Sequence, residues 1–200
     1  MKKKDDYKMN HSQIKNGVKK ALSNALTLAG YSKDILERGG SSHLSLGLFS
    51  FAIEEYGKSA MLSEIASSEQ KEYFVPSILF TGKKSHDLKF NKALSILPKE
   101  CSYFDAGVTF TNSPNLNKSK THEVGSNGES AGIPKATPGT SSIGDISSDF
   151  ETRMNCFYLD WDKEKNNWKS PPKVLAQKLA ESISEFENFV NKKIDAEYGS

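Results

Sequence analysis

Residues 43–58 read HLSLGLFSFAIEEYGK, and this stretch decides how the rest of the chain folds. It is apolar enough to be buried, yet it carries His43, the adjacent carboxylates Glu54 and Glu55, and Lys58. Buried charge is costly unless it is paired or used. A helix that accepts the cost either ties a bundle together through polar contacts or holds a site. At about 100° per residue, Leu44, Leu48, Phe51, Ser59 and Leu62 fall on one side of such a helix. Leu46, Phe49, Ile53, Tyr56 and Ala60 cover much of the other. A helix apolar on two sides sits between neighbours. The narrow strip left over holds His43, Gly47, Ser50, Glu54 and, at its margin, Lys58, while Glu55 falls within the first apolar face and needs a donor there.

Working outward, residues 12–38 have apolar positions at Ile14, Val18, Leu22, Ala25, Leu28, Ala29, Ile35 and Leu36, the spacing of a long amphipathic helix. Ser12 is the expected N-cap, and Gly39-Gly40 the expected stop. Gly30 inside this helix suggests a close approach by a neighbour. Ser41 or Ser42 then caps the second helix, which runs to about Ser67. A third helical region spans about 69–97, interrupted by Pro76 and Gly82 and closed by Pro98. In its second piece Leu88, Ala93, Leu94 and Leu97 are core candidates, with His86, Lys89 and Phe90 near them.

Residues 112–148 are rich in Ser, Asn, Gly, Thr, Pro and Lys and nearly free of large apolar side chains, the composition of a flexible loop. Residues 153–161 suit a short extended segment, and Asn166-Asn167 a turn. Pro171-Pro172 opens a last helix striped by Leu179, Ile183, Phe186, Phe189, Val190 and Ile194. The expectation is an all-α antiparallel bundle of four to five helices with a long loop before the last one. Its domain comprises 12–111 and 149–196, with a flexible N-terminus at 1–11 and the insert at 112–148.

Composition excludes some classes. Of 200 residues, 27 are basic and 25 acidic, giving a net charge of +2, too balanced to indicate nucleic acid by itself. Basic clusters occur at Lys2–Lys4 and among Lys83, Lys84, Lys89 and Lys92. Mean hydropathy is −0.58, and no run of about 18 apolar residues marks a membrane span. The N-terminal lysines lead into Asp5 and Asp6 and not into an apolar core, so a cytoplasmic location is expected. Cys101 and Cys156 lack metal or redox spacing. A carboxylate-bridged di-metal core needs E-x-x-H, which does not occur, so no metal or other cofactor is expected.

Two chemistries remain. In the first, the polar residues of the second helix frame a cleft with His86 and Lys89 and act on RNA without metal. Attack by a 2′-hydroxyl needs a general acid/base and a cation for the developing charge. His43 and His86 are the acid/base candidates, Arg38, Lys58 and Lys89 the phosphate holders, and Glu54 and Glu55 the orienting carboxylates. Arg38 and His43 are spaced R-x4-H across the Gly-Gly turn. In the second, the same residues form a seam that fixes helix register, with Arg38 favoured at a helix C-terminus.

The segment from Gly39 through HLSLGLFSFAIEEYGK, with His43, Glu54, Glu55, Gly57 and Lys58, resembles the signature of AbiV-type abortive infection proteins in the HEPN superfamily. FTGKKSHDLKF (80–90), with His86 and Lys89, is similar to that family's second motif, and Tyr158-Leu159-Asp160 before Trp168 and Pro171 to its third. The resemblance covers about 12–195 without the 112–148 loop. It implies a HEPN bundle, often dimeric, in bacterial defence against phage, triggered by a phage protein and acting on RNA or the translation machinery. Many such proteins are metal-independent ribonucleases that use R-x4-6-H near the start of a late helix. Here the R-x4-H straddles the first loop, and no His follows Arg153. A non-catalytic bundle that binds a phage protein or a host translation component is the alternative.

Overall fold

A computed structural model of the chain describes residues 6–68, 70–101, 150–154, 156, 157, 161, 162, 167, 168 and 176–199. The expected loop at 112–148, the Tyr158-Leu159-Asp160 motif and the Pro171-Pro172 opening lie outside the described residues. The elements run β1 (Tyr7–Met9), α1 (His11–Glu37), α2 (Ser42–Ala66), β2 (Tyr73–Val75), a 3-10 turn (Ser77–Leu79), α3 (Lys83–Leu94), α4 (Leu97–Glu100), α5 (Phe150–Met154), β3 (Trp161–Asp162), β4 (Asn167–Trp168) and α6 (Ala176–Tyr198). The fold is helical, with two small antiparallel ribbons, β1–β2 and β3–β4. Among the described residues no helix is long and apolar enough to cross a membrane.

The N-cap of α1 lies two residues earlier than expected, at Asn10 and not at Ser12. Asn10 Oδ1 accepts from the Gln13 amide at 2.9 Å, and Gln13 Oε1 accepts from the Asn10 amide at 2.9 Å. This reciprocal box satisfies two orphan donors at once, which Ser12 could not do from inside the first turn. Gly39, at φ 69°, supplies the left-handed residue that ends α1. The chain then reverses into α2, and the two helices pack antiparallel. Their contact is closed by hydroxyls: Ser32 Oγ donates to the Ser45 carbonyl at 2.7 Å and Ser45 Oγ to the Ser32 carbonyl at 2.8 Å, both residues fully buried.

α6 lays Leu179, Ile183, Phe186 and Val190 onto this pair, all at 0 % exposure. Phe186 meets Phe49 edge-on at 5.4 Å and Tyr56 at 6.1 Å. The Leu46, Phe49, Ile53 and Tyr56 side of α2 is therefore core, as its periodicity indicated. The opposite apolar side is only half covered, and Leu44 is exposed. The strip read as polar margin is the part that goes inside: Gly47, Ser50 and Glu54 are buried. Small residues make this possible. A Cβ on Gly57 would lie 1.8 Å from the Lys89 carbonyl oxygen, so α2 and α3 meet backbone to backbone there. A Cβ on Gly30 would meet nothing closer than Glu187 Oε1 at 3.9 Å, an ordinary contact, so no neighbour crowds that glycine.

Three further expectations change. Residues 73–75 are a strand paired with Tyr7–Met9, not helix, since Tyr73, Phe74 and Val75 favour the pleated surface that β1 offers. Pro98 does not close α3, which ends at Leu94; it sits at the first turn of α4, where a missing N–H costs nothing. Arg153 lies on a helical turn, α5, and not on an extended segment. The two cysteines are buried and unbridged. Burial pushes the Cys101 thiol up to about 12, with Glu185 and Glu100 adding to it. Burial also lifts Cys156 to about 11, against the opposing charge of Arg153. Thiolate is the reactive form. The native protein should therefore leave both thiols unlabelled by a disulfide reagent under conditions that label two per unfolded chain; rapid native labelling would contradict this burial.

Candidate functional site

Glu54 sits in the middle of α2 at 3 % exposure, facing α3 and α5. Each of its oxygens has a separate partner. Arg153 Nη2 of α5 donates to Oε1 at 2.7 Å, and His86 Nδ1 of α3 lies 2.7 Å from Oε2. A carboxylate accepts and does not donate, so Nδ1 carries the proton and Nε2 is left as the nitrogen able to take one.

Helical spacing and aromatic walls hold this geometry. The Arg153 guanidinium lies 4.1 Å from the Phe90 ring centre, one turn beyond His86 on α3. It also reaches toward Asp87 at 3.7 Å. Asp87 Oδ1 accepts from the Phe150 amide at 2.8 Å and so tethers the start of α5 to α3. Phe150 in turn stacks on His86 at 4.2 Å between ring centres, tilted by 21°. His86 is thus fixed at one ring nitrogen and one face, with its side chain 34 % exposed. Glu54–Arg153, by contrast, is almost solvent-free at 3 % and 2 %.

His86 also lines a pocket of about 380 Å³ between α1, α2 and α3. α1 contributes Asn24, Thr27 and Leu28 to its lining, α2 contributes Phe51, Glu54 and Glu55, and α3 contributes Lys89 beside His86. Lys89 is 7 % exposed and has no hydrogen-bond or ion-pair partner among the described residues. Burial lowers its pKa from 10.5; Glu54 and Glu55 oppose that shift, and Lys58 and Arg153 reinforce it. A lysine whose folded pKa is lowered carries a folding penalty while it is charged. The penalty fades as pH rises through the lowered value toward 10.5. Lys89→Met, which keeps the stem and removes the charge, should therefore melt at or above the wild type at neutral pH. The gap should narrow in alkali, and a lower neutral melting temperature would contradict it.

The residues singled out from the sequence divide into two groups. Glu54, Glu55, His86 and Lys89 converge on the pocket, and Lys58 stays at its edge, 3.4 Å from Glu55. Glu55 thus finds its donor one turn along its own helix and remains partly exposed; Glu54 is the carboxylate that goes fully inside. Arg38 and His43 are elsewhere. Arg38 is exposed at the C-cap of α1, and His43 lies 2.9 Å from Ser41 Oγ in the first turn of α2. Eleven residues of helix, about 16 Å of rise, separate His43 from Glu54. Arg153 and Asp87 were missed as members of the cluster. A signal for Arg153 existed: it and Arg38 are the only arginines among 27 basic residues. Arginine rather than lysine suits a buried ion pair.

Among the described residues no group of three or more His, Cys, Asp or Glu is placed to hold a metal ion. The family model described as AbiV, HEPN_AbiV, matches residues 13–190. No curated protein and no solved structure matches the chain.

Proposed function

The chain belongs to the AbiV family of HEPN proteins, and on that premise we propose that it is an abortive-infection effector that attacks RNA through the pocket beside His86. Abortive infection defence is what the family suggests. The observation that carries the finer reading is the division of labour at Glu54. One oxygen is anchored by Arg153, the other holds His86 by Nδ1, and His86 lines a pocket together with Lys89, which has no hydrogen-bond partner among the described residues.

In this reading His86 Nε2 accepts the proton of a ribose 2′-hydroxyl as that oxygen attacks the adjacent phosphorus. Lys89 offsets the charge that builds on the phosphoryl oxygens. The products are a 2′,3′-cyclic phosphate and a 5′-hydroxyl, the leaving oxygen taking a proton from water and the protonated His86 returning its proton to solvent. Glu54 fixes the tautomer, as the carboxylate does in other histidine bases. The trigger is a phage protein and the setting the cytoplasm. The protein acts as a homodimer, for which exposed Tyr31 and Leu44, flanking the α1–α2 turn, supply apolar surface. Light scattering should give twice 22.1 kDa.

A second reading is favoured by the burial of Glu54–Arg153 and by the distance of Arg38 and His43 from them: a bundle that binds a phage protein or a translation component, with the cluster purely structural. Purified protein incubated with RNA in chelator separates the two. Cleavage should fall about 10²–10⁴-fold in His86→Ala and persist in His43→Ala. Loss in His43→Ala alone would move the chemistry to the α1–α2 turn. Phage protection that survives His86→Ala in cells would favour binding.

A further inference from the structure

We infer that the pocket between α1, α2 and α3 is a subsite for one unstacked nucleotide of single-stranded RNA, its phosphate held by Lys89 and its base lodged against Leu28 and Phe51. The inference rests on the reading of this pocket as the RNA-acting site and names what it takes in.

Lys89 is the first observation. Every other charged side chain of the cluster is paired: Glu54 with Arg153 and His86, Glu55 with Lys58, and Asp87 with the Phe150 amide. Lys89 alone is buried beside the pocket without an acceptor among the described residues. Glu54 and Glu55 act on this ammonium from a distance, but each is already held by other partners, so a buried Lys89 without an acceptor in hydrogen-bond range is poised for an anion brought by a ligand, and a phosphate fits a compact point charge.

The second observation is the rest of the lining. The pocket, about 380 Å³, falls within the range of small-ligand sites and is too small for a duplex. Leu28 and the Phe51 ring give an apolar slot, and Phe51 is backed by Phe157 at 5.6 Å in near-parallel stacking, which keeps it from rotating away. Exposed Asn24 stands at the α1 wall with an amide that can meet a base edge, and beside it Thr27 Oγ1, which donates to the Ser23 carbonyl at 3.0 Å, can accept. Bases splayed out of single strands are held in this way, by aromatic contact and edge hydrogen bonds, with a cation on the backbone. α3 also carries exposed Lys84 in its first turn, which suits approach by a polyanion. An inorganic anion would use Lys89 but leave the apolar slot empty, and a neutral apolar ligand would leave Lys89 without a hydrogen-bond acceptor.

The test is equilibrium binding of 5′-AMP, adenosine and inorganic phosphate to the full chain. AMP should bind more tightly than either fragment. Lys89→Met should weaken AMP by about tenfold or more while leaving adenosine unchanged. Thr27→Trp, on the exposed side of α1, should block AMP by filling the mouth, and provides a second variant should Lys89→Met misfold. AMP binding no better than phosphate, or unaltered in folded Lys89→Met or Thr27→Trp, overturns the subsite. The cleavage assay reports separately. AMP binding without RNA cleavage sustains the subsite and removes the ribonuclease reading. His86-dependent cleavage without AMP binding does the reverse.

Discussion

Gly57→Ala should unfold this protein or bring it close to unfolding. The added Cβ would stand 1.8 Å from the Lys89 carbonyl oxygen, 2.7 Å from its carbon and 3.2 Å from the Ala93 nitrogen. Backbone atoms in a helix cannot step aside as a side-chain tip can, so α3 would have to shift bodily by an ångström or more. Such overpacking costs about 1–3 kcal/mol at ordinary sites and more where backbone is hit, against a typical total stability of about 5–15 kcal/mol. The same shift would carry His86 away from Glu54. The measurable result is a large drop in urea midpoint, with loss of any His86-dependent activity. Gly30→Ala is the matched control: it meets nothing closer than 3.9 Å and should stabilise by up to about 1 kcal/mol through helix propensity. Equal behaviour of the two variants would mean that α2 and α3 do not touch at Gly57.

Arg153→Met should be nearly as damaging, for an electrostatic reason. It leaves Glu54 at 3 % exposure with His86 as its remaining ion-pair partner among the described residues. Removing one member of a buried pair typically costs about 3–5 kcal/mol, because the other charge stays desolvated. At about 2–4 °C per kcal/mol for a chain of this size, the melting temperature should fall by roughly 6–20 °C. The methionine retains much of the stem packing against Phe90, so a large loss reports charge and not volume. A loss under about 1 kcal/mol, the usual worth of a surface pair, would mean that Glu54 is solvated.

The residues differ in how openly the sequence announced them. The stripe of α6 and the two-sided apolar pattern of α2 identify the bundle because a 3.6-residue period survives in the sequence whatever packs against it. The site was half visible for the same reason: Glu54 stood out as a carboxylate in an otherwise buried helix, and His86 and Lys89 lay in one short segment. Which of Glu54 and Glu55 goes inside was not readable. The choice depends on Gly57 admitting α3 and on Arg153 arriving from 99 residues away, and neither leaves a trace in α2's own periodicity. Residues 73–75 misled because a strand of three residues is too short to show a period of two, and its partner is contributed by β1. The R-x4-H spacing of Arg38 and His43 was legible as a pattern, yet spacing alone does not say whether a motif faces a pocket or caps a helix.

A double-mutant cycle on Glu54→Gln and Arg153→Met, with stability read by urea denaturation, bears most directly on Glu54 as the buried clamp between α3 and α5. Each single substitution should cost about 3–5 kcal/mol, and the double should cost less than their sum by about 2 kcal/mol or more. Additive effects, with a coupling below about 0.5 kcal/mol, would contradict the clamp and with it the placing of His86.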